Sequence, residues 1–454
     1  MTSVAGPEAL ACSSRSVSDD SKVLAINVNQ WPGLPHVSPV DIAAQFVDHY
    51  CNHGRTAFNL EIKSGEFCSP ALHELLLLAG QNMAAVQRIA EYVAQMPNPK
   101  PKKFTSDSAK AAHKVVMDHL MSRNSVVTWP KKTAGLMDLF DAAVIGSVKE
   151  SIAVRLSGLG FASWKETADK RFTVDVNGFY WHTLCRLTEN WIPGNPFDCT
   201  PEDFERLHVE WVRARACAYS RLLKMKTIRG GDLIPGWKTE ANVTLPDAKS
   251  FPATVQSNDK LEAYAKAQGQ LTFTPRGTAE PQPLNPPLFL LNGNTAAFAD
   301  GIVVFDDALV LLQSKLHQNR VHFKEDKTST TFTKKELLHE YHKSGFVARK
   351  GHEEPGCEPT EGFSNQRALF EHLARGPGKK TKATVFVFVT QKAIANGAVD
   401  GLPDDLVVIH KDNFHVLGPF RDSACCLRSD KRRPANERKR SHNKQEDGDS
   451  DGPL

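Results

Sequence analysis

Asp300, Gln313 and Lys315 are the residues of this chain whose types and spacing suit chemistry. Magnesium wants hard oxygen ligands and keeps several of its waters. Asp300 would supply a charged ligand, and the Gln313 amide oxygen and the Ser314 carbonyl would supply neutral ones. Lys315 would position or help deprotonate the attacking water, or stabilise charge building on a phosphate. Metal-assisted phosphodiester hydrolysis is the chemistry that such a set suits. The plainer alternative is a buried hairpin whose polar residues are incidental.

The elements that must position these groups can be read from the apolar pattern. The runs Thr295–Phe305 and Leu309–Leu316 flank the turn-like Asp306-Asp307, which predicts a β-hairpin. Side chains alternate along a strand, so Gln313 and Lys315 share a face while Ser314 points away. Asp300 on the partner strand then comes close to that pair. Downstream, Thr333–Ser344 and Asn365–Ala374 read as helices, and Thr384–Thr390 and Asp405–Ile409 as strands. Thr384–Thr390 is almost continuously apolar, which predicts burial on both faces.

The Asp300…Gln313-Ser314-Lys315 pattern resembles the PD-(D/E)xK nuclease superfamily, in which an Asp on one strand precedes Glu-x-Lys or Gln-x-Lys on the next. Ala299 stands where that pattern has proline, and Gln313 where it more often has an acid. The resemblance implies magnesium or manganese as cofactor and a third ligand from an upstream helix. Thr200–Lys224 predicts that helix, opened by the cap-like Thr200-Pro201. Either Glu205 or Glu210 fits the role, the alternative being solvated surface carboxylates.

Two further stretches sharpen the likeness. Leu75–Ala90, with Ala79-Gly80-Gln81-Asn82, is similar to the lid helices of P-loop ATPases, and Asp405–Phe414 with Leu417-Gly418-Pro419 resembles Crinkler effectors and retrotransposon hot spot proteins. Members of both families join an ATPase to a nuclease domain. No Gly-x-x-x-x-Gly-Lys-Ser/Thr occurs here, and Gly376-Pro377-Gly378-Lys379-Lys380-Thr381 has too few residues between its glycines to cradle phosphates, so it reads as a basic surface loop. The chain therefore looks like the C-terminal part of a longer ATPase–nuclease architecture, with no nucleotide expected. A decoy, Leu60-Glu61-Ile62-Lys63 with Asp48 upstream, reads as structural, because Asp48 sits in the helical pattern Ile42–Tyr50.

Composition sets the bounds. The chain has 454 residues, 41% hydrophobic and 24% charged, as expected of two or three folded domains. A net charge of +4 is too small to prove a nucleic-acid partner. The nine cysteines show neither zinc-ligand spacing nor a disulfide framework, which suits a reducing, cytosolic or nuclear compartment. No run has the length of a membrane span, and Met1–Ser21 has no apolar signal core.

These readings predict an α+β multidomain protein with a helical, winged-helix N-terminal half and a mixed α/β, restriction-endonuclease-like C-terminal domain. Its parts would be a disordered leader (1–22), an ATPase-lid-like helical region (23–96), a winged-helix-like domain (104–192), a nuclease-like domain (200–420) and a disordered tail (421–454). Pro97–Lys103 is a stiff linker. The winged-helix reading rests on the helices Ser108–Met121, Lys132–Ala143 and Val148–Gly158 followed by a hairpin-like Arg171–Val176; Met225–Pro287 is poorly patterned. In the tail, Lys431-Arg432-Arg433 and Arg438-Lys439-Arg440 resemble a nuclear localisation signal and would also contact phosphates. The expected function is a magnesium- or manganese-dependent nuclease-fold protein acting on DNA in the nucleus, or in a host nucleus if secreted. Asp300, Gln313 and Lys315 would be catalytic, and Asp300, Gln313 and Glu205 would hold the metal. The alternative is a catalytically degenerate fold serving as an effector or interaction module with protein or nucleic-acid partners.

Overall fold

In the computed structural model of the chain, the described residues are 69–79, 83–96, 104–125, 133–157, 162–176, 178–194, 200–261, 272–293, 296, 298–315, 331–343, 363–376 and 380–428. The expected leader, the Leu60–Lys63 decoy, the Pro97–Lys103 linker and residues 429–454 of the tail lie outside them, whereas 421–428, expected to be disordered, continue the 3₁₀ stretch Phe414–Arg428. The fold is mixed α+β, with helices and a multi-strand mixed sheet. Among the described residues no helix is long and apolar enough to cross a membrane.

Two units are present. The smaller holds helices α1 (Pro70–Ala79) and α2 (Met83–Gln95) and most of α3 (Ser106–Ser125). Leu72, Leu75 and Leu76 of α1 and Val86, Ile89 and Val93 of α2 are buried, at the three- and four-residue spacing of one helix face. The expected turn at Gly80-Gln81-Asn82 lies outside the described residues.

The larger unit begins with α4 (Thr133–Ile145), β1 (Ser147–Lys149), α5 (Glu150–Ser157), β2 (Ser163–Glu166), β3 (Arg171–Asp175) and α6 (Gly178–Leu187). Where sequence predicts a two-stranded wing and a helix from Val148, the structure has three antiparallel strands in the order β1-β3-β2. Gly146 is the reason: its φ of +84° ends α4, and its carbonyl accepts the Val174 N–H, which steers Val148 into pairing with Phe172.

Helix α7 (Pro201–Arg221) follows. Thr200 and Asp203 form a reciprocal capping box, and Pro201 occupies the first turn, where its missing N–H costs nothing. Its other end is tied to α4, since the Arg221 guanidinium donates to both carboxylate oxygens of Asp141 at 2.7 and 2.6 Å.

The chain then forms β4 (Thr227–Arg229), α8 (Gly230–Leu233), β5 (Asn242–Thr244), β6 (Val255–Gln256), β7 (Thr272–Phe273), β8 (Gln282–Pro283), β9 (Leu288–Leu291), β10 (Gly301–Val304) and β11 (Ala308–Lys315). After these come β12 (Thr331–Phe332), α9 (Lys334–Lys343), α10 (Phe363–Leu373), β13 (Ala383–Thr390), β14 (Ala393–Ile394), β15 (Leu406–Ile409) and a 3₁₀ stretch, Phe414–Arg428. The main sheet runs β15-β13-β11-β10-β9-β6; β11, β13 and β15 are parallel, and β9, β10 and β11 are antiparallel neighbours. Helix α7 packs on β9, β10 and β11. Leu337 and Tyr341 of α9 and Leu369 of α10 join Ile302, Leu309, Leu311 and Phe386 in a buried cluster.

The predicted hairpin is present, with a shorter first strand than Thr295–Phe305. The buried Asn292 side chain donates to the Ala299 carbonyl and the Asn292 N–H to the Asp300 carbonyl, just ahead of the strand that begins at Gly301. Strand β9 was not legible in the sequence. Its Leu288-Phe289-Leu290-Leu291 run has no alternation, and all four residues are buried.

Candidate active site

The register of the hairpin builds the site. Gly301 pairs with Leu312, so Asp300 falls across from Gln313. One Asp300 oxygen accepts the Gln313 side-chain amide at 2.5 Å and the Ser314 N–H at 2.7 Å. Ser314 thus touches Asp300 through its N–H, whereas the sequence suggests a role for its carbonyl. Its side chain points to the other face of the sheet, as alternation requires, and its hydroxyl lies 2.8 Å from His208 Nδ1. Burial pushes His208 down to about 3, so that imidazole is neutral.

The Gln313 amide is oriented by this contact, because turning it over would set its oxygen against a carboxylate oxygen. In the orientation that satisfies Asp300, Gln313 Oε1 is buried with no hydrogen-bond partner. A buried acceptor left unpaired is costly, and a cation would satisfy it.

Lys315 ends β11 on the same face as Gln313. Its ammonium lies 3.5 Å from Glu340 of α9, and Lys343 lies 3.4 Å from the same carboxylate oxygen. Glu340 is only 8% exposed and was not singled out from the sequence. A signal was there: Glu340 lies three residues past buried Leu337 and beside buried Tyr341, an acid on an apolar helix face.

Of the two candidate glutamates on α7, the structure brings Glu205 to the site. Burial raises its carboxyl to about 8, the Asp300 charge adds to the rise, Lys315 opposes it, and Glu202 adds a little more. Glu210 is occupied elsewhere, 3.6 Å from Arg206 and 3.3 Å from Arg213, four residues before it and three after. Asp300 is likewise raised, to about 6, by burial above all; Lys315 and the Ser314 N–H pull it down, and Glu340 pushes it up.

Helix α7 can approach this closely because residue 301 is glycine. A Cβ there would stand 2.5 Å from Val209 Cγ2 and 3.2 Å from Leu312 Cβ.

Two carboxylates that repel each other, a buried amide oxygen without a partner and a lysine therefore meet at one end of β10 and β11. The oxygens are hard donors and few, which fits magnesium or manganese retaining part of its hydration. Among the described residues no group of three or more His, Cys, Asp or Glu side chains forms a ready-made cation cage. No family model, curated protein or solved structure matches the chain.

Proposed function

We propose that the protein is a magnesium- or manganese-dependent nuclease acting on DNA, with the β9–β11 and β13 sheet and α7 as a PD-(D/E)xK-like, restriction-endonuclease-like core. The observation that carries this reading is the meeting of Asp300, Gln313 and Lys315 with Glu205, which comes from a separate helix. Asp300, Glu205 and Gln313 Oε1 would hold the cation. When bound, the cation supplies charge neutralisation at the phosphate and lowers the pKa of a water. Lys315 faces the charge that builds on phosphorus-bound oxygen as water adds and one P–O ester bond breaks. Glu340 keeps the lysine directed to the sheet end. Two basic clusters of the tail, Lys431-Arg432-Arg433 and Arg438-Lys439-Arg440, suit a nuclear location and phosphate contact.

A second reading, an interaction module of the Crinkler type without catalysis, is favoured by two features. Lys315 is already ion-paired with Glu340, and Gln313 leaves the site one negative charge short of the usual pattern. Incubation of plasmid and single-stranded DNA with the purified chain separates the two. Cutting that requires magnesium or manganese and disappears in Asp300→Ala supports the nuclease. A folded protein that cuts neither substrate supports the interaction module.

A further inference from the structure

A cavity of about 310 Å3 opens at the opposite end of the β10–β11 hairpin, beside the Asp306-Asp307 turn. At about 3.3 Å per residue, the six steps from Asp300 to Asp306 put it roughly 20 Å from the carboxylate site. Leu284, Val304 and Leu373 give it an apolar wall, and His372, Arg375 and Lys382 line it with nitrogen. The backbone gathers the three basic residues. Lys382 N–H donates to the Ala374 carbonyl, Gly376 N–H to that of Lys380, and Arg375 bridges Thr381, so the chain doubles back at the end of α10.

Lys382 is only 8% exposed, yet it makes no ion pair, and neither does Arg375, among the described residues. Asp306 is the acid that lines the cavity, while the Asp307 carboxylate is committed to the Thr244 N–H at 3.0 Å and its hydroxyl at 2.6 Å. Burial lowers both Lys382 and His372, and the charges of Arg375 and Lys382 add to the drop at His372. Two cations, Lys382 and Arg375, thus line the space beside a single lining acid, Asp306, whose charge, with that of Asp307, opposes the drop at Lys382.

We propose that this cavity binds the phosphate group of a small phosphate monoester. The guanidinium fork, the ammonium and an imidazole N–H offer donors on several sides, matching the several acceptor oxygens of a phosphate better than the two of a carboxylate. Leu284, Val304 and Leu373 then receive the organic part, and Asp306 accepts from a hydroxyl or amine on it. The site is separate from the proposed nuclease centre and does not depend on it.

Calorimetric titration of the full chain with inorganic phosphate and then glycerol phosphate, in EDTA and at constant ionic strength, tests this. Saturable binding that weakens at least tenfold in both Lys382→Met and Arg375→Gln supports the site. Arg375 is exposed, so its variant decides the matter if the lysine variant fails to fold. Asp300→Ala should bind phosphate as the parent does, which keeps this result distinct from that of the metal site. Absence of saturable binding, or equal affinity in the parent and Arg375→Gln, overturns the proposal. A 5′-phosphorylated oligonucleotide binding in preference to glycerol phosphate also overturns it, because the phosphate source would then be a nucleic-acid end.

Discussion

Glu205→Gln should make the metal-free protein more stable at pH 8 and leave its stability at pH 4.5 nearly unchanged. The native state raises this carboxyl from 4.5 to about 8. Between those values the native chain keeps a proton that the unfolded chain has released. Native stability from this group is therefore fully present below about pH 4.5 and is lost as pH rises toward 8. At about 1.4 kcal/mol per pH unit the full displacement corresponds to about 5 kcal/mol. Glu205 is only partly buried, and solvent screening reduces that to about 1–2 kcal/mol. Glutamine keeps the shape and has no proton to lose, so urea unfolding followed by tryptophan fluorescence should show the variant about 1–2 kcal/mol above the parent at pH 8. Saturating manganese should narrow that gap by stabilising the parent more than the variant. A gap that does not change with pH, or a variant less stable than the parent at pH 8, would refute the argument that burial and the Asp300 charge hold the Glu205 carboxyl protonated in the native state.

Three other outcomes follow from the packing and the charges. Gly301→Ala should cost about 2 kcal/mol in urea unfolding, because a methyl group cannot fit 2.5 Å from Val209 Cγ2; cleavage should fall with it as α7 and Glu205 are displaced. Asp141→Ala should cost about 3 kcal/mol by leaving the Arg221 guanidinium without its bidentate partner, and Arg221→Met in the same chain should recover much of that loss. Lys315→Met should lower the cleavage rate on the order of a hundredfold with little change in the melting temperature, since Glu340 keeps its contact with Lys343.

The hairpin and α7 were legible because each carries a local signal. Apolar runs flank Asp306-Asp307, and Thr200-Pro201 opens the helix with groups that satisfy its free N–H donors. The short strands were not. Strand β6 has two residues and β9 four, and both take their structure from pairing with each other and, for β9, with β10, contacts that no local window contains. At the site, strand alternation placed Gln313 and Lys315 on one face and Ser314 on the other. It could not choose between Glu205 and Glu210. That choice depends on Arg206 and Arg213, which engage Glu210 from neighbouring turns of the same helix, and on the close approach permitted by Gly301. Glu340 was missed because its partner Lys315 lies on a different element and only the folded chain joins them.

Manganese titration of the parent and of Asp300→Asn, by calorimetry at pH 8 and pH 5.5, asks whether Asp300 holds a cation. Asn preserves the shape of the side chain and removes its charge. Saturable binding by the parent at pH 8, weaker binding at pH 5.5 as Asp300 and Glu205 take up protons, and loss of binding in a folded Asp300→Asn are expected. Equal manganese affinity in the parent and Asp300→Asn, or no binding by the parent at pH 8, would contradict a cation site at Asp300.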